Sequence, residues 1–302
     1  GAVTGGSQNL TFSTEDNITG ADITASGAIS NVGALTLNSV GGTATFSGDV
    51  DAESLTVDNT VANVAFTGNG STVTNSFTPN NDGTLTLGTS GGTQTFNGGL
   101  NTASTDGTVT LNGSLVTSND ALTVGAATLG SNTTLTSAGG AIVTGAIIGT
   151  SSEDLTITSS GGGTNTVVTN GTIGASGNIN TIAITGATSV SLGGNISTND
   201  ASGNTVTLTG TTIDTNGITV DTNTTNNDGN ITLNVNTFPN SITADAGDAV
   251  VQMTPVTTDA VIEAARTNSG NISEGAFYDI DLVQITNAAH VLIGSSSHTG
   301  NI

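Results

Sequence analysis

The chain has no cysteine, no tryptophan, one tyrosine and three prolines in 302 residues. Without cysteine there is no disulfide framework and no thiol chemistry, which fits neither a small stapled secreted domain nor a redox enzyme. It is compatible with an exported bacterial protein held together by its backbone ladder. Basic side chains are almost missing: Arg266 stands alone against 23 acidic residues, there is no lysine, and the net charge is −22. Phosphate backbones need Lys and Arg to release their counterions, so nucleic-acid binding is close to excluded. Adsorption to an anionic membrane is disfavoured for the same reason. No run of 18 apolar residues is present, so the expectation is that nothing spans a membrane as a helix. The chain starts at Gly1 with no signal peptide and reads as a mature or excised piece of something longer.

What is present is glycine, 43 of them, with 34% hydrophobic residues and only 3% aromatics. So much glycine and so few aromatics make a conventional globular core hard to fill. Disorder couples low hydrophobicity with many charges and prolines. Here charged residues are 8% of the chain and apolar ones are spread evenly along it, which argues for an ordered fold.

Residues 35–50 (LTLNSVGGTATFSGDV) and 85–100 (LTLGTSGGTQTFNGGL) agree at nine of sixteen positions. Internal repetition of this kind decides the fold. The recurring node is an apolar-Thr-apolar step, as at Leu10-Thr11-Phe12, Leu35-Thr36-Leu37, Leu55-Thr56-Val57, Leu85-Thr86-Leu87 and Val109-Thr110-Leu111. It continues to Ile231-Thr232-Leu233 with spacings from 13 to 33 and a mean of about 25. Alternation over such short spans means strands with one face inward. Pairs such as Gly41-Gly42, Asn119-Asp120, Asn216-Gly217 and Asp228-Gly229 mark turns between them. Helix is expected only over residues 259–266 (DAVIEAAR), as one or two turns.

A propeller blade needs more residues per unit and a sandwich needs hairpins and larger core residues. A parallel β-solenoid needs one coil of about this length and an interior narrow enough for Val, Ile, Leu, Ala and Thr. The expectation is therefore an all-β parallel β-helix of about 12 rungs of roughly 25 residues, forming a rod about 60 Å long at ~4.8 Å per rung. Residues 1–302 make one continuous solenoid, with a less regular stretch at 249–293. Leu35 and Leu37 are expected inward with Phe46 inward on the next side, and the copy at residue 85 two coils away. Neither end reads as a cap, so the expectation is a fragment of a longer solenoid or copies joined end to end.

The Leu-Thr-Leu nodes with Gly-Gly corners resemble the passenger region of filamentous haemagglutinin-type bacterial exoproteins, which leave the cell by two-partner secretion. The likeness covers the whole chain in style and about the last fifty residues in wording. There Met253 and Pro255, Asp281-Leu282 and Ile285, Leu292-Ile293-Gly294, and Gly300 with Ile302 follow that family's pattern. The resemblance implies a right-handed parallel β-helix rod, extracellular or on a bacterial cell surface, working in attachment or as a structural fibre. It implies no catalytic residues.

Candidate chemistry is sparse. His290 and His298 lie eight residues apart with Gly294 and three serines between them, which reads as surface histidines rather than metal ligands. Asp221, Asn223, Asn227 and Asp228 before Gly229 suggest a calcium loop, but Thr232 stands where an EF-hand needs a bidentate Glu. An Asn/Asp-rich turn with weak surface calcium at most is the better reading. Carboxylate pairs at Glu15-Asp16, Asp49/Asp51, Glu153-Asp154 and Asp279/Asp281 would suit a polysaccharide lyase or hydrolase. Those sites also want Arg, Lys or aromatics to hold the sugar, and Asp49/Asp51 and Asp279/Asp281 most simply face solvent. Asn-x-Ser/Thr triplets, as at Asn17, Asn132 and Asn271, are expected by chance in a chain this rich in Asn and Thr. Thr-x-Thr arrays on flat solenoids can bind ice, but spacings from 13 to 33 argue against one constant face. The sequence thus points to no catalytic, cofactor or metal site. It reads as a non-catalytic extracellular structural protein, a fibre or adhesin segment. A lateral module recognising glycan or a host surface is the main alternative, and a polysaccharide-degrading enzyme a distant third.

Overall fold

The computed structural model describes residues 1–15, 18–175, 178–199, 203–223, 228–237, 241–256, 261–263, 277–279 and 283–294. Among the described residues every regular element is a strand, because β-branched Thr, Val and Ile dominate and Gly interrupts every window of helical length. All the described strand ladders are parallel, and most strands pair with one from the next circuit of the chain rather than with the strand that follows them in sequence. This is a parallel β-solenoid, as the sequence leads one to expect.

Each turn has three sides, called faces 1, 2 and 3 in chain order. Face 1 stacks Ile29 on Val50 and, further along, Gln94 on Leu115, Leu135, Ile157, Ile184, Leu208, Leu233 and Met253, with Val73 on Phe96 in the neighbouring inward column. Face 2 carries Leu10, Leu35 and Leu55 in register, and further along Phe77, Leu100, Leu122, Ile142, Val167 and Val190. Face 3 runs from Ile23 through Ala44, Val64, Leu85, Val109 and Ala127 to Ile147, Ile173, Ile196 and Val220. All the inward apolar residues merge into one core running the length of the coil.

The coil has about ten turns, fewer than the 12 rungs expected. The step between rungs is short where Thr117 meets Ser137 and longer where Ser159 meets Gly186, and the difference is taken up in the corners. Past Met253 a single step reaches Ile293, so the last stretch of chain yields less coil than its length suggests. The spacings of 13 to 33 arise because nodes on different faces look alike in sequence. Val109 belongs to face 3 and Leu122 to face 2. The repeated phrase shows the same degeneracy. Leu35 and Leu37 do point inward on face 2 and Phe46 on face 3, but Leu85 and Leu87 stack on Val64 and Phe66, also on face 3. The second copy therefore lies one side further round, not above the first.

Glycine is needed where a corner directs the side-chain position along the axis. Gly27, Gly48 and Gly68 follow one another in such a corner. A Cβ on Gly48 would collide with the backbone of Gly27, and one on Gly68 would lie 2.7 Å from the Gly48 carbonyl oxygen. Inside the first half of the coil a file of phenylalanines runs along the axis, Phe12–Phe46–Phe66–Phe77–Phe96. Its centroid distances are 5.6, 5.1, 6.1 and 5.7 Å, alternating edge-on and stacked.

Of the expected helix at 259–266, Val261–Glu263 is a strand paired in parallel with Phe277–Asp279. The rest of that segment, and much of 249–293, lies outside the described residues. Among the described residues no helix is long and apolar enough to cross a membrane.

Candidate functional site

The polar corner residues form a connected system of their own. At several corners an Asn or Asp side chain accepts a hydrogen bond from a backbone amide of the next rung. Asp22 takes the Thr43 amide at 2.7 Å, Asp49 the Gly70 amide at 2.8 Å, Asp51 the Thr72 amide at 3.1 Å and Asn63 the Thr84 amide at 2.9 Å. Further along, Asn195 takes Thr219, Asp228 takes Asp248 and Asn230 takes Val250. These amides fall where the chain bends and the strand ladder would leave donors unmet. The pair Asp49/Asp51, expected merely to face solvent, is thus made of two inter-rung clamps.

The remaining carboxylates divide in the same way. Glu153 is 5% exposed. Its carboxylate receives the Thr150 amide (2.7 Å), the Ser151 amide (2.9 Å) and the Thr150 hydroxyl (2.6 Å), closing the turn before its own strand. Burial alone would push this carboxyl up, but those donors together hold it below the ordinary glutamate value. Asp154 joins three rungs. It receives the Asn132 side-chain amide on one side, and the Asn180 amide and Thr181 hydroxyl on the other. Glu15 has a left-handed backbone (φ 53°), Asp279 lies in a strand, and Asp16 and Asp281 lie outside the described residues. Of the triplet asparagines named above, Asn132 is the partner of Asp154, and Asn17 and Asn271 lie outside the described residues.

Of the calcium-loop candidates, Asn223 and Asp228 are bridged antiparallel to each other, but the carboxylates are otherwise engaged. Asp221 ends a strand and receives the Asn223 amide at 2.9 Å, while Asp228 turns to the next rung and Thr232 sits outward in a strand. Asn227 lies outside the described residues. Burial pushes the Asp221 carboxyl up, the Asn223 amide opposes this, and repulsion from Asp245, directly above in register, adds to the rise. His290 is exposed on the strand opposite Val250, and His298 lies outside the described residues. Among the described residues no three His, Cys, Asp or Glu side chains are grouped to hold a metal. A shallow groove of about 500 Å³ beside face 1 is lined by Asn31, Asp51, Glu53, Thr72 and Thr74.

The most ordered surface is one that spacing in the sequence concealed. On face 1 the inward leucines and isoleucines are flanked by two outward columns. One reads Thr134, Thr156, Ala183, Thr207 and Thr232 in direct register. The other reads Thr136, Thr158, Thr185, Thr209, Asn234 and Thr254, and is extended on the other side by Val116, Thr95 and Thr72. No register shift falls within these stretches, and no charged residue stands in either column between residues 72 and 254, Asp51 being the next residue in register before Thr72. The signal was in the text as Thr-x-Thr at 134/136, 156/158 and 207/209. It could be found only by measuring strand against strand rather than node against node.

No protein-family model, curated protein or solved structure matches the chain, and nothing links it to filamentous haemagglutinin-type proteins.

Proposed function

We propose that the chain is a non-catalytic structural rod, a β-solenoid segment of a secreted fibre or bacterial cell-surface adhesin, in which the coil's geometry is the function. The observation that carries this reading is the set of rung-to-rung clamps. Side chains that could have formed a site, Asp22, Asp49, Asp51, Asn63 and Glu153 among them, bind backbone amides at turns instead. A rod of this kind gains stability rung by rung and can be extended without redesigning its core. The net charge of −22 keeps long assemblies of it soluble through mutual repulsion. The same reading takes the setting as extracellular, with neighbouring copies or further rungs as end-to-end partners.

The test is microscopy and fibre diffraction of the assembly from its native source. Continuous filaments with a ~4.8 Å axial repeat are expected. Isolated short rods that bind a glycan saturably, and lose that binding on Glu53→Gln in the groove beside face 1, would instead favour a lateral recognition module. Release of sugar products from such a glycan would overturn the non-catalytic reading.

A further inference from the structure

We infer that the two threonine columns of face 1 form an ice-binding surface, whose ligand is the ordered oxygen lattice of frozen water. This goes beyond the structural reading and rests only on the register of the coil, so it stands or falls separately from any fibre.

The drift of the repeat is the obvious objection, and the structure removes it. The corners absorb every length difference. The insertion that lengthens the step from Ser159 to Gly186 leaves Thr156 opposite Ala183 and Thr158 opposite Thr185. Adjacent rungs lie about 4.8 Å apart, and positions i and i+2 of one strand about 6.7 Å apart. The outward hydroxyls therefore form a near-rectangular grid of the same scale as the oxygen repeats of an ice surface. A lattice is recognised by such a grid and not by a pocket, so shallow relief suits this ligand.

The side chain chosen has the required chemistry. Threonine presents a methyl group, beside which water orders, and a hydroxyl that both donates and accepts. Its β-branch restricts χ1, so a column of threonines is ordered before the ligand arrives. Two further observations point to an external partner. Among the described residues, the hydroxyls of Thr134, Thr136, Thr156, Thr158, Thr185 and Thr207 have no protein partner, whereas Thr209 and Thr254 near the far end are bonded to Asn234 and Gln252. Charge also keeps out of the two columns themselves, although Asp154 stands outward on the same strand two residues before Thr156, and Asp51 lies in register with Thr72 one rung earlier. A chain with 23 carboxylates places none in either column between residues 72 and 254, and the positions that depart from threonine are Ser114, Val116, Ala183, Asn234 and Gln252. A carboxylate would hold its own hydration shell against the lattice, and none of these residues does.

The test uses the whole 302-residue chain, fluorescently labelled, with two substitutions. Thr158→Tyr places a bulky ring in the middle of the grid, and Thr36→Tyr places the same ring outward on face 2. The parent protein is expected to concentrate in a slowly growing ice hemisphere, shape single ice crystals and suppress recrystallisation. Thr158→Tyr should lower its effective affinity by about tenfold, equivalent to ~1.4 kcal/mol. Thr36→Tyr should leave it unchanged, with far-UV circular dichroism melts alike for all three. Exclusion of the parent protein from ice would overturn the inference, as would equal loss in both variants or no loss in Thr158→Tyr. Binding to crystalline chitin or cellulose without binding to ice would also overturn it, giving the face to a polysaccharide.

Discussion

The first five rungs and the rungs beyond residue 111 solve the same packing problem differently. The first part fills its axis with the phenylalanine file from Phe12 to Phe96, whereas crowded glycine corners and side-chain clamps between rungs, as at Gly48 and Asp49 or Gly163 and Asn195, occur in both parts. The second part has no aromatic residue in its described core, which is built mainly from Leu, Ile and Val with a few Ala and Met253. It accepts corners of varied length and buries hydroxyls such as Thr117, Ser137, Thr144, Ser159 and Thr169. Several of these satisfy turn carbonyls from the inside, as Thr117 and Ser137 do by donating to the Asp120 carbonyl. A wide apolar ring permits a lean, regular turn. Where only aliphatic residues fill the axis, polar groups inside the corners help to hold irregular turns in place, and that freedom lets face 1 stay in register while chain length drifts.

The contrast predicts where the coil is most easily broken. Phe66 stacks on Phe46 at 5.1 Å and meets Phe77 edge-on, so Phe66→Ala should remove packing on two rungs at once. A loss of about 3–5 kcal/mol is expected, measured by denaturant unfolding. Ile184→Ala in the aliphatic half should cost nearer the lower end of about 2–5 kcal/mol. In a coil whose rungs contact only their neighbours, the Phe66 variant should also separate one transition into two. Equal costs and a single transition in both would show that the halves are not energetically distinct.

Gly48→Ala comes next. Its Cβ would meet the backbone of Gly27, which cannot rotate away as a side chain can. A cost of about 1–3 kcal/mol is expected, against little effect for Gly91→Ser, whose side chain would meet open space and only the strain of a left-handed backbone (φ 74°). Thermal melts of the two variants measure the difference between axial crowding and a mere turn preference.

Glu153 tests the polar corners of the second half. Glu153→Gln keeps the shape and one acceptor oxygen but removes the charge that draws three donors, for an expected loss of about 1–2 kcal/mol at neutral pH. Because the folded-state carboxyl is held below its ordinary value, its contribution is present above the unfolded glutamate value and lost as pH falls through the folded one. The gap in Tm between Glu153→Gln and the parent should therefore shrink with acidification. Asp221 has the opposite sign. Its raised carboxyl opposes folding when ionised, so Asp221→Asn should raise Tm slightly at neutral pH and not below the range in which the parent aspartate is protonated.

The fold class was legible because alternation and turn residues are local signals. Leu35, Leu37 and Phe46 were placed inward from their own neighbours alone, and all three are buried. Register was not legible. Leu-Thr-Leu fits any of three faces equally, so nothing in residues 35–37 or 85–87 says which column each joins. The same degeneracy hid the threonine grid, whose members lie in different nodes joined only by the corners between them. The acidic clamps were missed for a related reason. An aspartate at a bend looks solvent-facing until the amide of the following rung is placed beside it.

The smallest effect is a gain. Thr144 and Thr169 lie directly above one another inside the second half, both fully buried, and among the described residues neither hydroxyl oxygen has a hydrogen-bond partner. A buried hydroxyl left unmet costs free energy that a methyl group of the same size does not. Val124 already occupies the equivalent position one rung before Thr144, and Leu192 the one after Thr169. Thr169→Val is therefore expected to stabilise the coil by about 1 kcal/mol, seen as a higher Tm, and Thr144→Val likewise. The double variant should gain no more than the sum. A loss in either single variant would mean that the hydroxyl is met by an internal water, and would make the aliphatic half a hydrated core rather than a dry one.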